Sequence, residues 1–160
     1  MTSTELAPPW GRGLDPRPLA CNQVVRGRVE AGDQRGRRLG VPTANIGLGD
    51  DSLVPDGVYA GLYVRPNGST WPAAVSLGRR PTFYPAQGAR LLEAHLIGFS
   101  GELTGEEAEV VLLWYLRPQR SFGSAEELSR QLRCDIDAAC QLLCEGLSAP
   151  PDRSPATQSW

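Results

Sequence analysis

Residues 57–77 read GVYAGLYVRPNGSTWPAAVSL, and they decide the fold class. In Gly57–Val64, the residues Val58, Ala60, Leu62 and Val64 fall on one face of an extended chain, and Tyr59, Gly61 and Tyr63 on the other. That period of two belongs to a strand. Pro66-Asn67-Gly68 is a turn signal, and Thr70–Leu77 resumes the strand, so the stretch predicts a hairpin. The pattern continues outward in both directions. Cys21–Glu30 and the short Pro42–Ile46 precede it as strands. Leu91–Ile97 (LLEAHLI) alternates after it, and Ala108–Leu116 (AEVVLLWYL) is apolar on both faces. Short strands in close succession, with no helix between them, predict a mainly β chain folded as an antiparallel barrel.

One helix closes the pattern. Ser124-Ala-Glu-Glu127 is a capping box, in which serine and glutamate are expected to satisfy each other's free backbone donors. Leu128, Leu132, Ile136, Ala139 and Leu143 form an apolar stripe at helical spacing, and Gly146 is the expected stop. The stripe should lie against the barrel. Met1–Ala20 and Ser148–Trp160 are rich in Pro, Ser, Gly and Asp without periodicity. The expected division is a flexible tail over 1–20, a folded unit over 21–147 and a disordered tail over 148–160.

Composition bounds the function. A chain of 160 residues suits one domain. Such a domain buries about two thirds of its unfolded surface and needs no disulfide or metal staple. Gly (18) and Pro (14) supply a fifth of the residues, favouring turns and short strands over a helical bundle. The formal charge is −2, and the aromatic residues form no stripe interleaved with basic ones, so no nucleic-acid partner is expected. All 16 basic residues are Arg. Without lysine there is no Walker-type phosphate loop, Schiff-base amine or protein-kinase strand lysine. Phosphate chemistry must rest on backbone N–H groups, Arg and a metal ion. The N-terminus lacks a secretory signal and no stretch is long enough to cross a bilayer, so the expected compartment is the cytoplasm, with no membrane partner and with the four cysteines reduced. Cys134, Cys140 and Cys144 lack Cys-x-x-Cys spacing and His95 is remote, so helix packing rather than a zinc site is expected of them.

Two segments carry chemistry. Gly27–Asn45 reads GRVEAGDQRGRRLGVPTAN, in which Gly27, Gly32, Gly36 and Gly40 interleave with Arg28, Arg35, Arg37 and Arg38. Such a loop can wrap an anion with converging N–H groups and added positive charge, or it can be an ordinary exposed turn. Thr43 and Asn45 then stand two apart on an extended segment and project to one side. They are neutral oxygen donors suited to a Mg²⁺ bridging nucleotide phosphates, or else they satisfy turn backbone groups. Glu93 and His95 share a face in an otherwise apolar strand. A carboxylate there faces solvent or a polar cleft, and in a cleft it could take the proton of an alcohol. The lone His95 reads as a hydrogen-bonded structural residue, because no Ser or Cys motif supplies a triad partner.

The run G-x-V-x-x-G-x-x-x-G-R-x-L-G-x-P-T-A-N over Gly27–Asn45 resembles the opening signature of riboflavin kinases. The resemblance continues through Gly57-Val-Tyr-Ala60, Gly78-x-x-Pro-Thr-Phe83, Glu93-Ala-His-Leu96, Leu116-Arg117 followed by Phe122, and a helix carrying Gln131 and Asp135. It implies a six-stranded Greek-key barrel with a C-terminal helix, and transfer of the ATP γ-phosphoryl to the 5′-hydroxyl of riboflavin, with Mg²⁺. Carried over, Glu93 is the base and Thr43 and Asn45 hold the metal. Gly27, Gly32, Gly36, Arg38, Gly40, Pro42, Thr43 and Asn45 surround the ATP phosphates, while Arg117, Phe122 and Asp135 border the flavin. Riboflavin and ATP are the implied partners of a monomer. Ser76-Leu77-Gly78, Gly98-Phe99 and Leu103-Thr104-Gly105 depart from the family's Asn-Ile-Gly, Asp-Phe and Leu-Tyr-Gly. These departures leave room for a modified flavin acceptor, or for a binding module without catalysis. The N-terminal adenylyltransferase common in bacterial relatives is not in this sequence, so FAD synthesis is not expected.

Overall fold

The computed structural model describes residues 13–32, 42–49, 52–79 and 89–148. Six strands are followed by one helix: β1 (Arg17–Glu30), β2 (Thr43–Leu48), β3 (Gly57–Val64), β4 (Thr70–Arg79), β5 (Arg90–Leu96), β6 (Glu107–Arg117) and α1 (Ala125–Ser148). Every pairing is antiparallel, and the strands close in the order β1-β2-β5-β4-β3-β6. The alternation predicts an antiparallel barrel, and the six-stranded Greek-key order with its C-terminal helix is the one the resemblance implies. Among the described residues, no helix is long and apolar enough to cross a membrane.

Alternation explains the two buried faces. Tyr59 and Tyr63 of β3 point into the barrel with Val25, Ile46, Val75, Leu77, Leu92, Leu96, Val110 and Leu112. Val58 and Ala60 point outward, where Ala138, Ala139, Leu142 and Leu143 of α1 cover them. Full burial of one such aliphatic side chain contributes about 1.5–3 kcal/mol. β6 is apolar on both faces because it serves both layers. Its pairing with β3 slips between Val58 and Tyr59 and again between Ala60 and Gly61. These bulges let Leu113 and Trp114 both join the helix-side cluster while Tyr115 packs against the barrel core. Gly61 permits the close approach, since a Cβ there would lie 2.2 Å from the Val111 carbonyl oxygen.

The hairpin turn closes as expected. The Arg65 N–H donates to the Ser69 carbonyl at 2.9 Å, and the Ser69 N–H donates to Asn67 Oδ1 at 2.9 Å. Gly68 adopts φ +83°, which a glycine takes without strain. At that end of the barrel the Tyr63 hydroxyl donates to Glu106 at 2.8 Å and the Arg65 guanidinium pairs with the same carboxylate at 3.0 Å.

Three local expectations are corrected. β1 begins at Arg17 rather than Cys21, and Leu14 just before it is buried beneath α1. The helix runs through Gly146 to Ser148. One glycine costs a helix only about 1 kcal/mol, too little to end one already anchored by buried turns. The capping box is asymmetric. Ser124 Oγ accepts the Glu127 N–H at 3.2 Å, but the Glu127 carboxylate reaches past Ser124 to the Gly123 N–H at 3.0 Å.

Candidate active site

Strand register assembles the polar residues on the outer wall of the barrel. Asn45 pairs directly with Glu93, and Glu93 with Ser76. Ser76 pairs in turn with Val58, and Val58 with Arg117. Five strands thus contribute one row, Asn45–Glu93–Ser76–Val58–Arg117. One step along, Thr43 pairs with His95. Directly opposed side chains in an antiparallel pair are neighbours, with Cβ atoms about 4.5–5.5 Å apart. The carboxylate and the two oxygen donors singled out in the sequence therefore share one patch, though 48 positions separate Asn45 from Glu93.

Within this patch Glu93 is half-buried, while Asn45 and His95 are buried. The side-chain oxygen of Asn45 is sealed from solvent and has no hydrogen-bond partner among the described residues. An unpartnered buried acceptor costs about 1–3 kcal/mol, so it is a position where a ligand repays its own desolvation. A hard divalent cation such as Mg²⁺ fits a neutral amide oxygen with a hydroxyl beside it. Gly32 encloses the same amide, since a Cβ there would lie 1.9 Å from Asn45 Nδ2. Gly27 lies farther back against Ile46, whose Cγ2 a Cβ would meet at 2.5 Å. Thr43 Oγ1 lies 3.3 Å from His95 Nδ1. Burial pushes the His95 imidazole below its usual value, opposed by the Glu93 and Asp135 carboxylates. A neutral ring is able to accept a hydrogen bond from the Thr43 hydroxyl. Pro42 stands at the start of β2, where its carbonyl accepts the Leu96 N–H at 3.0 Å. Gly36, Arg38 and Gly40 lie outside the described residues, as do Arg35 and Arg37.

The other wall belongs to α1 and the connection leading into it. Arg117 and Asp135 are buried and meet through two bonds, Nε to Oδ1 at 2.9 Å and Nη2 to Oδ2 at 2.7 Å. Gln131 Nε2 donates to Asp135 Oδ1 at 3.0 Å, and Arg120 donates to Gln131 Oε1. Arg117 and Asp135 are thus engaged with each other, and they fasten the connection to the helix. Phe122 stands beyond them beneath the Arg120 guanidinium, 5.1 Å from its ring centre. Arg120, Phe122, Gln131 and Cys134 line a cavity of about 520 Å³. Ser121, Glu127 and Arg130 complete a lining that is polar and charged apart from Phe122 and Cys134.

Two residues of this wall escape a reading by motif. Gln119 Nε2 donates to Ser76 Oγ at 2.7 Å and to the Leu77 carbonyl at 3.0 Å. No periodicity marks Gln119, and only the barrel order brings it near Ser76. Arg120 is exposed and lines the cavity beside Phe122.

Comparison with known proteins agrees with this geometry. The family model described as flavokinase, riboflavin kinase, matches residues 19–143. The bifunctional riboflavin kinase/FMN adenylyltransferase of Listeria monocytogenes is 41% identical over 118 residues, covering 73% of this chain and 37% of that protein. A solved structure from Streptococcus pneumoniae, titled a macrolide-efflux protein, superposes with a TM-score of 0.63 at 32% identity, over 73% of this chain and 38% of the other. The riboflavin kinase of Trypanosoma brucei superposes with a TM-score of 0.55 over 79% of this chain and 82% of its own, and at 24% identity it speaks to the fold. This chain spans under two fifths of the length of the curated relatives it matches.

Proposed function

The chain belongs to the riboflavin kinase family, and from that premise we propose that it transfers the γ-phosphoryl group of ATP to the 5′-hydroxyl of riboflavin, giving FMN and ADP. The observation that carries this reading is the direct pairing of Glu93 with Asn45, which sets a carboxylate beside a buried, unpartnered amide oxygen.

Each residue has a part in the reading. Glu93 accepts the proton of the 5′-hydroxyl as its oxygen bonds to the γ-phosphorus and the bond from phosphorus to the ADP oxygen breaks. A loose transition state asks mainly for positioning and charge neutralisation, so a carboxylate is base enough. Thr43 and Asn45 hold Mg²⁺ through neutral oxygens. A metal ion held there would supply positive charge against the developing charge of the transferring phosphoryl group. His95, kept neutral by burial, orients the Thr43 hydroxyl. Gly32 leaves room for the Asn45 amide beside the phosphates. Phe122 and Arg120 form the wall for the flavin ring, while Arg117 and Asp135 hold that wall rather than touch the ligand. The reading places the chain in the cytoplasm as a monomer, with riboflavin and ATP as its partners.

Purified protein incubated with riboflavin, ATP and Mg²⁺ should yield FMN, separated from riboflavin by chromatography, and the yield should vanish with chelator. No FMN under these conditions overturns the reading. A panel of modified flavins under the same conditions identifies the preferred acceptor, and preference for an analogue over riboflavin would shift the substrate while keeping the chemistry.

A further inference from the structure

β4 and β6 are not neighbours in the barrel, because β3 lies between them. Gln119, two residues past the end of β6, nevertheless bonds to β4. Its amide nitrogen donates to Ser76 Oγ at 2.7 Å and to the Leu77 carbonyl at 3.0 Å. The side chain thereby spans the start of β3. It also lies over Gly78, where a Cβ would meet its amide nitrogen at 3.1 Å and its Cδ at 3.4 Å. Ser76 pairs with Glu93 on the next strand. The same connection carries Arg120 and Phe122, which line the cavity at the head of α1. Arg117 at the end of β6 and Arg120 in the connection also bind the helix, through Asp135 and Gln131. Among the described residues, the Gln119 hydrogen bonds tie the connection to β4, the strand that pairs with the one bearing Glu93. Gln119 is itself exposed, so hydrogen bonds rather than packing decide where it sits.

We propose that Gln119 is a positioning residue whose two-point latch onto Ser76 and the Leu77 carbonyl fixes the flavin-side wall at its working distance from Glu93. The inference rests on the riboflavin kinase reading above. It makes the Ser76 departure intelligible: a small hydroxyl accepts the glutamine amide and leaves the space beside Glu93 open.

Removing the latch should loosen the acceptor side alone. Gln119→Ala is expected to raise the KM for riboflavin about tenfold, with the KM for ATP within about twofold of wild type. Riboflavin affinity, read without ATP from quenching of flavin fluorescence, should weaken by the same factor of about ten. Ser76→Ala leaves the bond to the Leu77 carbonyl and should weaken riboflavin binding by only about threefold. The double variant should be no weaker than Gln119→Ala, since both substitutions break one device. Melting temperature is read alongside, and Ser76→Ala carries the test should Gln119→Ala fold poorly. KM values for riboflavin and ATP that rise together, or strictly additive losses, overturn the latch. A wild type that makes FMN beside an indifferent Gln119→Ala overturns the latch and leaves the kinase reading standing. A wild type that neither binds flavin nor makes FMN overturns the kinase reading and the latch with it.

Discussion

Glu93 and Asn45 show what a residue gains from strand register. Neither is unusual in isolation: a strand glutamate is ordinarily a solvated one, and an asparagine after a proline is ordinarily a turn residue. Antiparallel pairing makes them neighbours on the outer wall. Glu93→Gln keeps the shape and removes the base, so turnover should fall at least about 100-fold while nucleotide binding, read by calorimetry, persists. Unchanged turnover would strip Glu93 of its part. Gly32→Ala probes the other partner. The added carbon would collide with the Asn45 amide at 1.9 Å. Displacing a positioned ligand group by such a distance should cost about 100-fold in turnover, with an unaltered circular dichroism spectrum. Residue types alone left Thr43, Asn45 and Glu93 open between site and ordinary surface, and it was the resemblance that singled them out. The resemblance set the loop from Arg117 to Phe122 beside the flavin but could not give the partners of Gln119 and Arg120, which depend on strand order and the connection's path.

At the scale of elements, strands were easier to read than their ends. The hairpin of β3 and β4 showed clearly because alternation and a Pro-Asn-Gly turn agree. The start of β1 and the end of α1 did not, because packing of Leu14 and of the helix's apolar turns carries each element past the local signals. Arg117 and Asp135, which the resemblance sets beside the flavin, form the buried tie between β6 and α1. Arg117→Met alone should destabilise the fold by about 3–5 kcal/mol in urea unfolding, because it leaves a carboxylate buried without its charge partner. Replacing both, with Asp135→Leu added, should recover most of that loss. A second ion pair predicts a pH effect at the hairpin end of the barrel. Burial alone would raise the Glu106 carboxyl, but hydrogen bonds from Arg65 and Tyr63 outweigh it and hold it below 4.5. Its stabilisation is therefore complete above about pH 4.5 and is lost as pH falls through the lowered folded value. Glu106→Gln should lower the melting temperature at pH 7, and the gap from wild type should close as the solution is acidified below that point. A constant gap across the acid range would refute the linkage.

For the whole molecule, one closed barrel and one helix account for the region shared with the longer relatives, whose name joins kinase and adenylyltransferase activities. The 160-residue chain supplied with riboflavin and excess ATP should accumulate FMN and no FAD, resolved by chromatography with fluorescence detection. Appearance of FAD would show adenylyl transfer within this chain. The barrel's closure has a consequence for handling the protein. β6 contains VVLLWYL, a run whose hydrophobicity and lack of charge favour fibril formation. Both of its edges are occupied, by β1 and by β3. Ordered aggregation must therefore wait for the ring of strands to come apart, and resistance to self-association in storage will track unfolding rate rather than surface composition.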